Sequence, residues 1–480
     1  MTAAKIARGS VWLFGSYALS KFGRLAMMLV VAALLSPREY GFIGLSVFVI
    51  TAAQIACEFG IWQAVVRRTN LDDLFVSTAF TANIIGASFL AAGVFLTAPW
   101  VSRFYSGPEM VALLRIMALA LIFDGIFYVP DGLLRKELNF RGRSLPEISG
   151  TFGSALITIL LLLLGVGIFS FGAGLVAQSA IRCVLTLTQV QWRPRLRLSW
   201  PYLKEIVSYG KSILGNDLTR YASANVDYLI VGRVLGAGAL GYYSLAFSLA
   251  NYPVTNLAFI LSRIAFPAFA AVQEDLDYAR RMYLKMIRLL AALVVPLLVV
   301  LALVAGPLTV GLLGEKWQPA VLPLQLLVIA GISRSIAYPS SDMLRALGFP
   351  SVPFKINVLQ AFMVVGGLLL LATRGIEVVA LTMAIVLSLT SWMITAATCW
   401  IFKIPLWDLG RALIPGIVLA MSGALPVLSL SFINLEFLGD FTKACILLAA
   451  AGVAIALCLA TVCRGFLREV VALAATAKPE

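Results

Sequence analysis

The chain contains a succession of about fourteen apolar stretches, each long enough to cross a bilayer as a helix, which takes about 20 residues. They lie near residues 10–35, 41–66, 75–100, 110–134, 145–168, 170–191, 204–234, 239–270, 281–306, 320–346, 352–373, 376–402, 407–431 and 441–463. Hydrocarbon offers no water to unpaired backbone groups, so a spanning chain must be helical or close into a barrel. A barrel would show alternating segments of about 10 residues. These runs are longer and not alternating, so an all-α integral membrane protein is expected. Composition agrees. Of 480 residues, 61% are hydrophobic and only 12% charged, against about 25% charged in soluble domains.

The formal net charge is +14, and its placement explains it. Lys and Arg alternate between two sets of short connections. One set holds Lys5, Arg8, Arg67, Arg68, Arg135, Lys136, Arg141, Arg143, Arg193, Arg195 and Arg197, then Arg280, Arg281, Lys355, Lys403, Arg464, Arg468 and Lys478. The other holds little more than Arg38, Arg103, Lys316 and Arg374. By the positive-inside rule both termini face the cytoplasm, and an even number of spans agrees. The basicity therefore reads as membrane orientation, not nucleic-acid binding. Arg263, Lys285 and Arg288 fall near cytoplasmic ends, where snorkelling accounts for them. Lys21 and Arg24 interrupt the first apolar run and no small-residue cleavage site follows, so a cleavable signal is not expected.

With no histidine in the chain, His-based acid–base catalysis and most transition-metal sites are excluded. Cys57, Cys183, Cys399, Cys445, Cys458 and Cys463 form no CxxC pair and read as small buried hydrophobes. There is no GxxxxGK[ST] loop and no HExxH. Nothing calls for a cofactor.

An internal repeat organises the chain. The segment Leu35-Ser36-Pro37-Arg38-Glu39-Tyr40-Gly41 lines up with Leu235-Gly236-Ala237-Gly238-Ala239-Leu240-Gly241, about 200 residues on. A weaker echo near 210 matches Tyr128 and Leu134-Arg135 with Tyr338 and Leu344-Arg345. Each repeat holds six spans and so starts from the same side, which makes the repeats parallel. The expected division is residues 1–192 for helices 1–6, a basic linker at 193–203, 204–402 for helices 7–12, and 403–480 for two added helices and a tail. Two lobes of this kind favour alternating access.

A charge at bilayer depth costs several kcal/mol unless it has a partner or faces water, so such residues are functional candidates. Lys21 and Arg24 share a face at mid-depth of the first span. In the seventh, Asn216, Arg220, Ser223 and Asp227 form a polar stripe that also brings Asp217 and Asn225 into play. Arg182 and Arg334 are central in the sixth and tenth spans, and Glu58 and Asp124 lie in the second and fourth. The surplus of Lys21, Arg24, Arg182, Arg220 and Arg334 over Glu58, Asp124 and Asp217 suggests a water-filled cationic cavity for an anionic substrate. Asn216 and Asn225 would add polar contacts. Guanidinium groups match phosphate geometry. Asp217 and Arg220, three apart on one helix, equally fit a plain ion pair. Glu58, Asp124, Asp217 and Asp227 stay open between ion coupling, to protons or sodium, and structural pairing.

The stretch Gly215-Asn216-Asp217, then Asp227-Tyr228-Leu229-Ile230-Val231-Gly232 and Leu240-Gly241-Tyr242-Tyr243-Ser244-Leu245-Ala246, resembles the middle of the polysaccharide flippases (Wzx, the WzxC-like branch). Supporting pieces are Ser36 to Gly41, Leu133-Leu134-Arg135-Lys136 and Leu313-Gly314-Glu315-Lys316-Trp317. These flippases belong to the multidrug/oligosaccharidyl-lipid/polysaccharide exporter superfamily. The resemblance implies two six-helix lobes plus two C-terminal helices in a bacterial inner membrane. It also implies transfer of undecaprenyl-diphosphate-linked oligosaccharide, a precursor of O-antigen, exopolysaccharide or capsule, from the cytoplasmic to the periplasmic leaflet. Membrane lipid, and polymerase and chain-length proteins of the same pathway, would be its partners. A multidrug cation antiporter of the same superfamily would want an acidic cavity, which Lys21 and Arg24 oppose. A peptidoglycan-precursor flippase shares the span count but less of the sequence. A membrane-embedded polymerase or ligase normally carries a large periplasmic loop, and none is visible.

Overall fold

The computed structural model describes residues 3–431 and 439–461. The side chains of Lys5, Arg8 and Arg263 fall outside this description, as do Cys463, Arg464, Arg468 and Lys478 altogether. Helices account for nearly all the described residues: α1 Ala3–Leu34, α2 Pro37–Glu58, α3 Ile61–Arg67, α4 Asp73–Phe104, α5 Glu109–Lys136, α6 Phe140–Leu163, α7 Phe169–Gln189, α8 Trp200–Val234, α9 Gly236–Ala271, α10 Leu276–Leu313, α11 Val321–Ala346, α12 Ser351–Leu371, α13 Ile376–Ile401, α14 Leu406–Ser431 and α15 Asp440–Thr461. Every expected span coincides with a long helix, α2 and α3 together making the second. Among the described residues, eleven segments are long and apolar enough to cross a membrane by length and composition alone. The charge-bearing α8 is not one of them. Large apolar side chains cover the exteriors, such as Phe89 at 78% and Trp400 at 80% exposed, a surface that suits lipid and not water.

Local chemistry sets the helix ends. Ser36 starts α2 with a reciprocal capping box: its hydroxyl accepts from the Glu39 N–H, while the Glu39 carboxylate accepts from the Ser36 N–H at 2.8 Å. Pro37 follows at the first turn, where its missing N–H costs nothing. Phe59 and Gly60 both turn left-handed, at φ 42° and 66°, and break α2 from α3. Asn139 caps α6 by accepting from the Gly142 N–H at 2.9 Å.

The chain forms two compact units, residues 1–241 and 242–478. By contact, α8 and the first turn of α9 therefore lie with the first unit. In that unit α8 packs against α2, α3 and α4. Gly210 of α8 sits so close to the α2–α3 break that a methyl there would fall 2.4 Å from the Phe59 carbonyl. The Tyr221 hydroxyl donates to the Phe48 carbonyl at 3.2 Å, and the two rings stack.

Residues 190–199 run as an extended strap over the start of α4. The backbone N–H groups of Arg197 and Ser199 donate to the hydroxyls of Thr81 and Thr78, each at 3.1 Å. These hydroxyls in turn donate to carbonyls of their own helix, at 2.8 and 2.7 Å. Asp73 accepts from the Trp192 indole at 3.1 Å and pairs with Arg195 at 3.0 Å. These are exposed contacts, each worth less than about 1 kcal/mol, so they hold the strap without fixing overall stability. Asp73→Ala should leave thermal stability nearly unchanged but speed trypsin cleavage after Arg195 or Arg197 by about threefold or more. Unchanged digestion would remove the clamp role of Asp73.

In the second unit the core is a cluster of Phe269, Tyr283, Ile287, Met343, Leu344 and Phe402. The Tyr283 hydroxyl and Ser340 are hydrogen-bonded at 2.8 Å within it. The two C-terminal helices dock on α10: Val300 and Val304 meet Val427 of α14 and Leu447 and Ala451 of α15.

The cysteine expectation needs one correction. Cys57, Cys183, Cys399 and Cys458 are buried, but Cys445 is exposed on α15. It lies on an outer helix face where a small apolar group meets lipid as readily as protein.

Candidate functional site

In the first unit, polar side chains from five helices meet inside otherwise apolar packing. Glu147 on α6 is the junction. Its Oε1 pairs with Arg24 Nη2 of α1 at 2.6 Å, and its Oε2 with Arg182 Nε of α7 at 3.3 Å. Lys21, one turn before Arg24, lies within the electrostatic field of both Arg24 and Glu147. Arg182 also lies over the Phe127 ring of α5, 4.3 Å from its centroid, and interacts with the Asp124 carboxylate. Asp124 is 2% exposed. It accepts from Gln54 Nε2 of α2 at 2.7 Å, and the Ser179 hydroxyl is directed at it.

The backbone makes room for this arrangement. A methyl on Gly150, one turn beyond Glu147, would lie 2.7 Å from Cγ of Arg182. Glycine there lets the Arg182 stem lie flat along α6. Nearby, the Asn83 amide donates to the Gly125 carbonyl at 2.8 Å and ties α4 to α5.

Exposure grades along the chain of charges. The side chains of Arg24 and Glu147 are 44% and 37% exposed, and that of Arg182 is 20% exposed. Three cations thus surround two carboxylates, with the buried end locked by Asp124 and the other end open. A site of this kind can hold an anion at its open end through the guanidinium of Arg24 and the ammonium of Lys21.

The structure brings together Lys21, Arg24, Arg182 and Asp124 from the expected set. It places the others elsewhere. Glu58 ends α2, where its Oε1 accepts from the Trp62 indole at 2.6 Å and more weakly from Gln63 at 3.4 Å. On α8, Asn216, Arg220 and Ser223 are exposed and Asp227 is buried. Arg220 pairs with Asp217 at 3.3 Å, and Asn216 donates to the same carboxylate. The Asn225 amide donates to the Tyr221 carbonyl of its own helix at 2.8 Å. In the second unit Arg334 donates to Asn251 Oδ1 at 2.6 Å. Sequence reasoning missed Glu147 and Gln54. Starting the fifth span at residue 145 left Glu147 at its entrance. The Asn139 cap starts the helix earlier, which carries Glu147 about 10 Å inward.

A second acid cluster lies at the Arg135 end of α5. Asp131, 4% exposed, pairs with Arg135 at 2.6 Å and Arg143 at 3.0 Å. In the second unit Asp342, 2% exposed, pairs with Arg345 at 2.6 Å. These follow the weaker sequence echo and tie helix ends in both units. Among the described residues there is no cluster of His, Cys, Asp and Glu able to hold a metal.

The helix order, the two compact units and the docked C-terminal pair define an all-α, multi-pass membrane protein. Its fold matches a solved structure of the lipid II flippase MurJ in an inward closed conformation. The TM-score is 0.73 at 13% identity, over 97% of this chain and 100% of that one. Residues 30–322 match the polysaccharide biosynthesis protein family, and the chain belongs to that family. It is 26% identical over 355 residues to the lipopolysaccharide biosynthesis protein WzxC of Escherichia coli K12, covering 72% of this chain and 71% of that protein. It is also 26% identical over 478 residues to the succinoglycan biosynthesis transport protein ExoT of Rhizobium meliloti, covering 96% of this chain and 94% of that protein.

Proposed function

We propose that the protein is a flippase, without enzymatic chemistry, for undecaprenyl-diphosphate-linked oligosaccharide units. It carries them from the cytoplasmic to the periplasmic leaflet of a bacterial inner membrane by alternating access. One observation carries the reading: Lys21, Arg24 and Arg182 converge from two helices around fewer carboxylates in a membrane-embedded unit. That surplus suits a diphosphate and opposes a cationic drug. The family and the transport role of ExoT support it. The moving parts would be the two six-helix repeats, residues 1–192 and 204–402, with both termini in the cytoplasm. Arg220, Arg334, Asn216 and Asn225 would contact the headgroup or glycan. Polymerase and chain-length proteins of the pathway would receive the product. Any proton coupling would run through Asp124, the enclosed carboxylate next to Arg182, and less readily through Glu58, which Trp62 already holds.

Purified protein in liposomes should flip a fluorescent undecaprenyl-diphosphate oligosaccharide. Lys21→Ala with Arg24→Ala should cut the rate at least about tenfold, the scale of losing one or two charge-assisted contacts. Arg220→Ala should lower it less, because its side chain is 79% exposed and it pairs with Asp217 on the same helix. Wild-type rates from the double variant at equal protein levels would sink the proposal.

A further inference from the structure

We infer that Glu147 is a built-in competitor for the anion site and sets its selectivity for a diphosphate over singly charged headgroups. The inference rests on the flippase reading above. Its basis is geometric. Glu147 uses each carboxylate oxygen for a different arginine, on α1 and on α7. A single carboxylate therefore bridges two guanidinium groups, where an anionic headgroup would bridge them in its place.

Two features mark this bridge as exchangeable. Glu147 and Arg24 are both more than a third exposed, and ion pairs of that exposure contribute no more than about 1 kcal/mol. Arg182, by contrast, is held whether or not Glu147 lets go. It lies on Phe127, interacts with Asp124, and has its stem fitted over Gly150. The anchored guanidinium keeps its position while the exposed pair opens.

Selectivity follows from charge counting. An anion that enters must replace Glu147 at both arginines. A ligand with one negative charge offers no more than the carboxylate it displaces. A diphosphate brings at least two charges and further acceptor oxygens, so it can satisfy Arg24 and Arg182 together and also meet Lys21. A phospholipid phosphodiester carries one charge, no more than the carboxylate it would displace, and Glu147 keeps it out. When cargo leaves, Glu147 restores the bridge, so release does not leave Arg24 without a carboxylate.

The test uses the full chain in non-ionic detergent with farnesyl diphosphate and farnesyl methyl phosphate, a phosphodiester with one charge, as probes. Wild-type protein should prefer the diphosphate. Glu147→Gln should tighten binding of the singly charged diester by about 3–10-fold, the range of a partly exposed ion pair plus a charge-assisted bond, and so shrink the preference. Glu147→Asp, too short to reach both arginines, should shrink it by an intermediate amount, and it reads the same quantity if Glu147→Gln does not purify as a monodisperse protein. An unchanged ratio, or equal weakening toward both probes, would overturn the competitor role while leaving the flippase reading intact, provided Arg24→Gln still weakens the diphosphate. If neither probe binds the wild type, or Arg24→Gln changes nothing, the anion site itself fails and the inference with it.

Discussion

Arg182→Ala is expected to be among the most damaging single substitutions in the first unit. It removes one of the three cations and leaves Asp124, 2% exposed, facing only Gln54 and Ser179. Removing the cation nearest a buried carboxylate is destabilising, because the remaining charge loses its compensation. It also strips Phe127 of its cation, a contact worth about 0.5–2 kcal/mol. The purified variant should show a thermal midpoint well below wild type, or fail to yield monodisperse protein. Adding Asp124→Asn should recover a large part of the loss, since a neutral amide can still accept from Gln54. Flippase activity should stay absent in the double variant, because the anchored guanidinium is still missing. Stability recovered without activity would separate the structural role of Arg182 from its site role. If the double variant were no more stable than Arg182→Ala, Asp124 would not be the group Arg182 compensates.

The same residues show how far the sequence reached. The helices were legible because a bilayer admits little else: runs of about 20 apolar residues mark spans with little ambiguity. The repeat gave the relation between the starts of α2 and α9. Lys21, Arg24, Arg182 and Asp124 stood out because charges are rare at that depth. What could not be read was which of them meet, because that depends on how α1, α5, α6 and α7 rotate about their axes. A shift of one residue in a helix start moves a side chain by about 100° (3.6 residues per turn). Glu147 escaped for this reason. The expected span begins at residue 145, after an Arg-rich stretch, yet the Asn139 cap begins the helix before that stretch. With no acid near Lys21 and Arg24 in sequence, their pairing was invisible until α6 was laid beside α1. Glu58 is a different case: it lies within the second span, but the left-handed break at Phe59 and Gly60 ends α2 there and hands its carboxylate to Trp62.

Gly41→Ala should be disruptive out of proportion to the one methyl group it adds. A methyl on Gly41 would lie 1.8 Å from the Ala237 carbonyl oxygen, and one on Gly241 would lie 1.8 Å from the Pro37 carbonyl oxygen. Each glycine thus receives the carbonyl four residues before the other. This reciprocity is what a two-fold relation between repeated segments produces, and Pro37 and Gly41 are the repeat counterparts of Ala237 and Gly241. Both obstacles are backbone, so no side-chain rotation relieves them. The first turns of α2 and α9 must move apart, and overpacking of this kind costs about 1–3 kcal/mol or more. Either Gly41→Ala or Gly241→Ala should lower the thermal midpoint by several degrees. The double variant should cost less than the sum, because the first methyl already opens the space for the second. Gly86→Ala is the control. It lies within α4 with nothing inside 4 Å of the added carbon, so helix propensity alone acts, favouring alanine by up to about 1 kcal/mol. A neutral Gly41→Ala, or additive losses in the double variant, would show that α2 and α9 do not meet through this glycine pair.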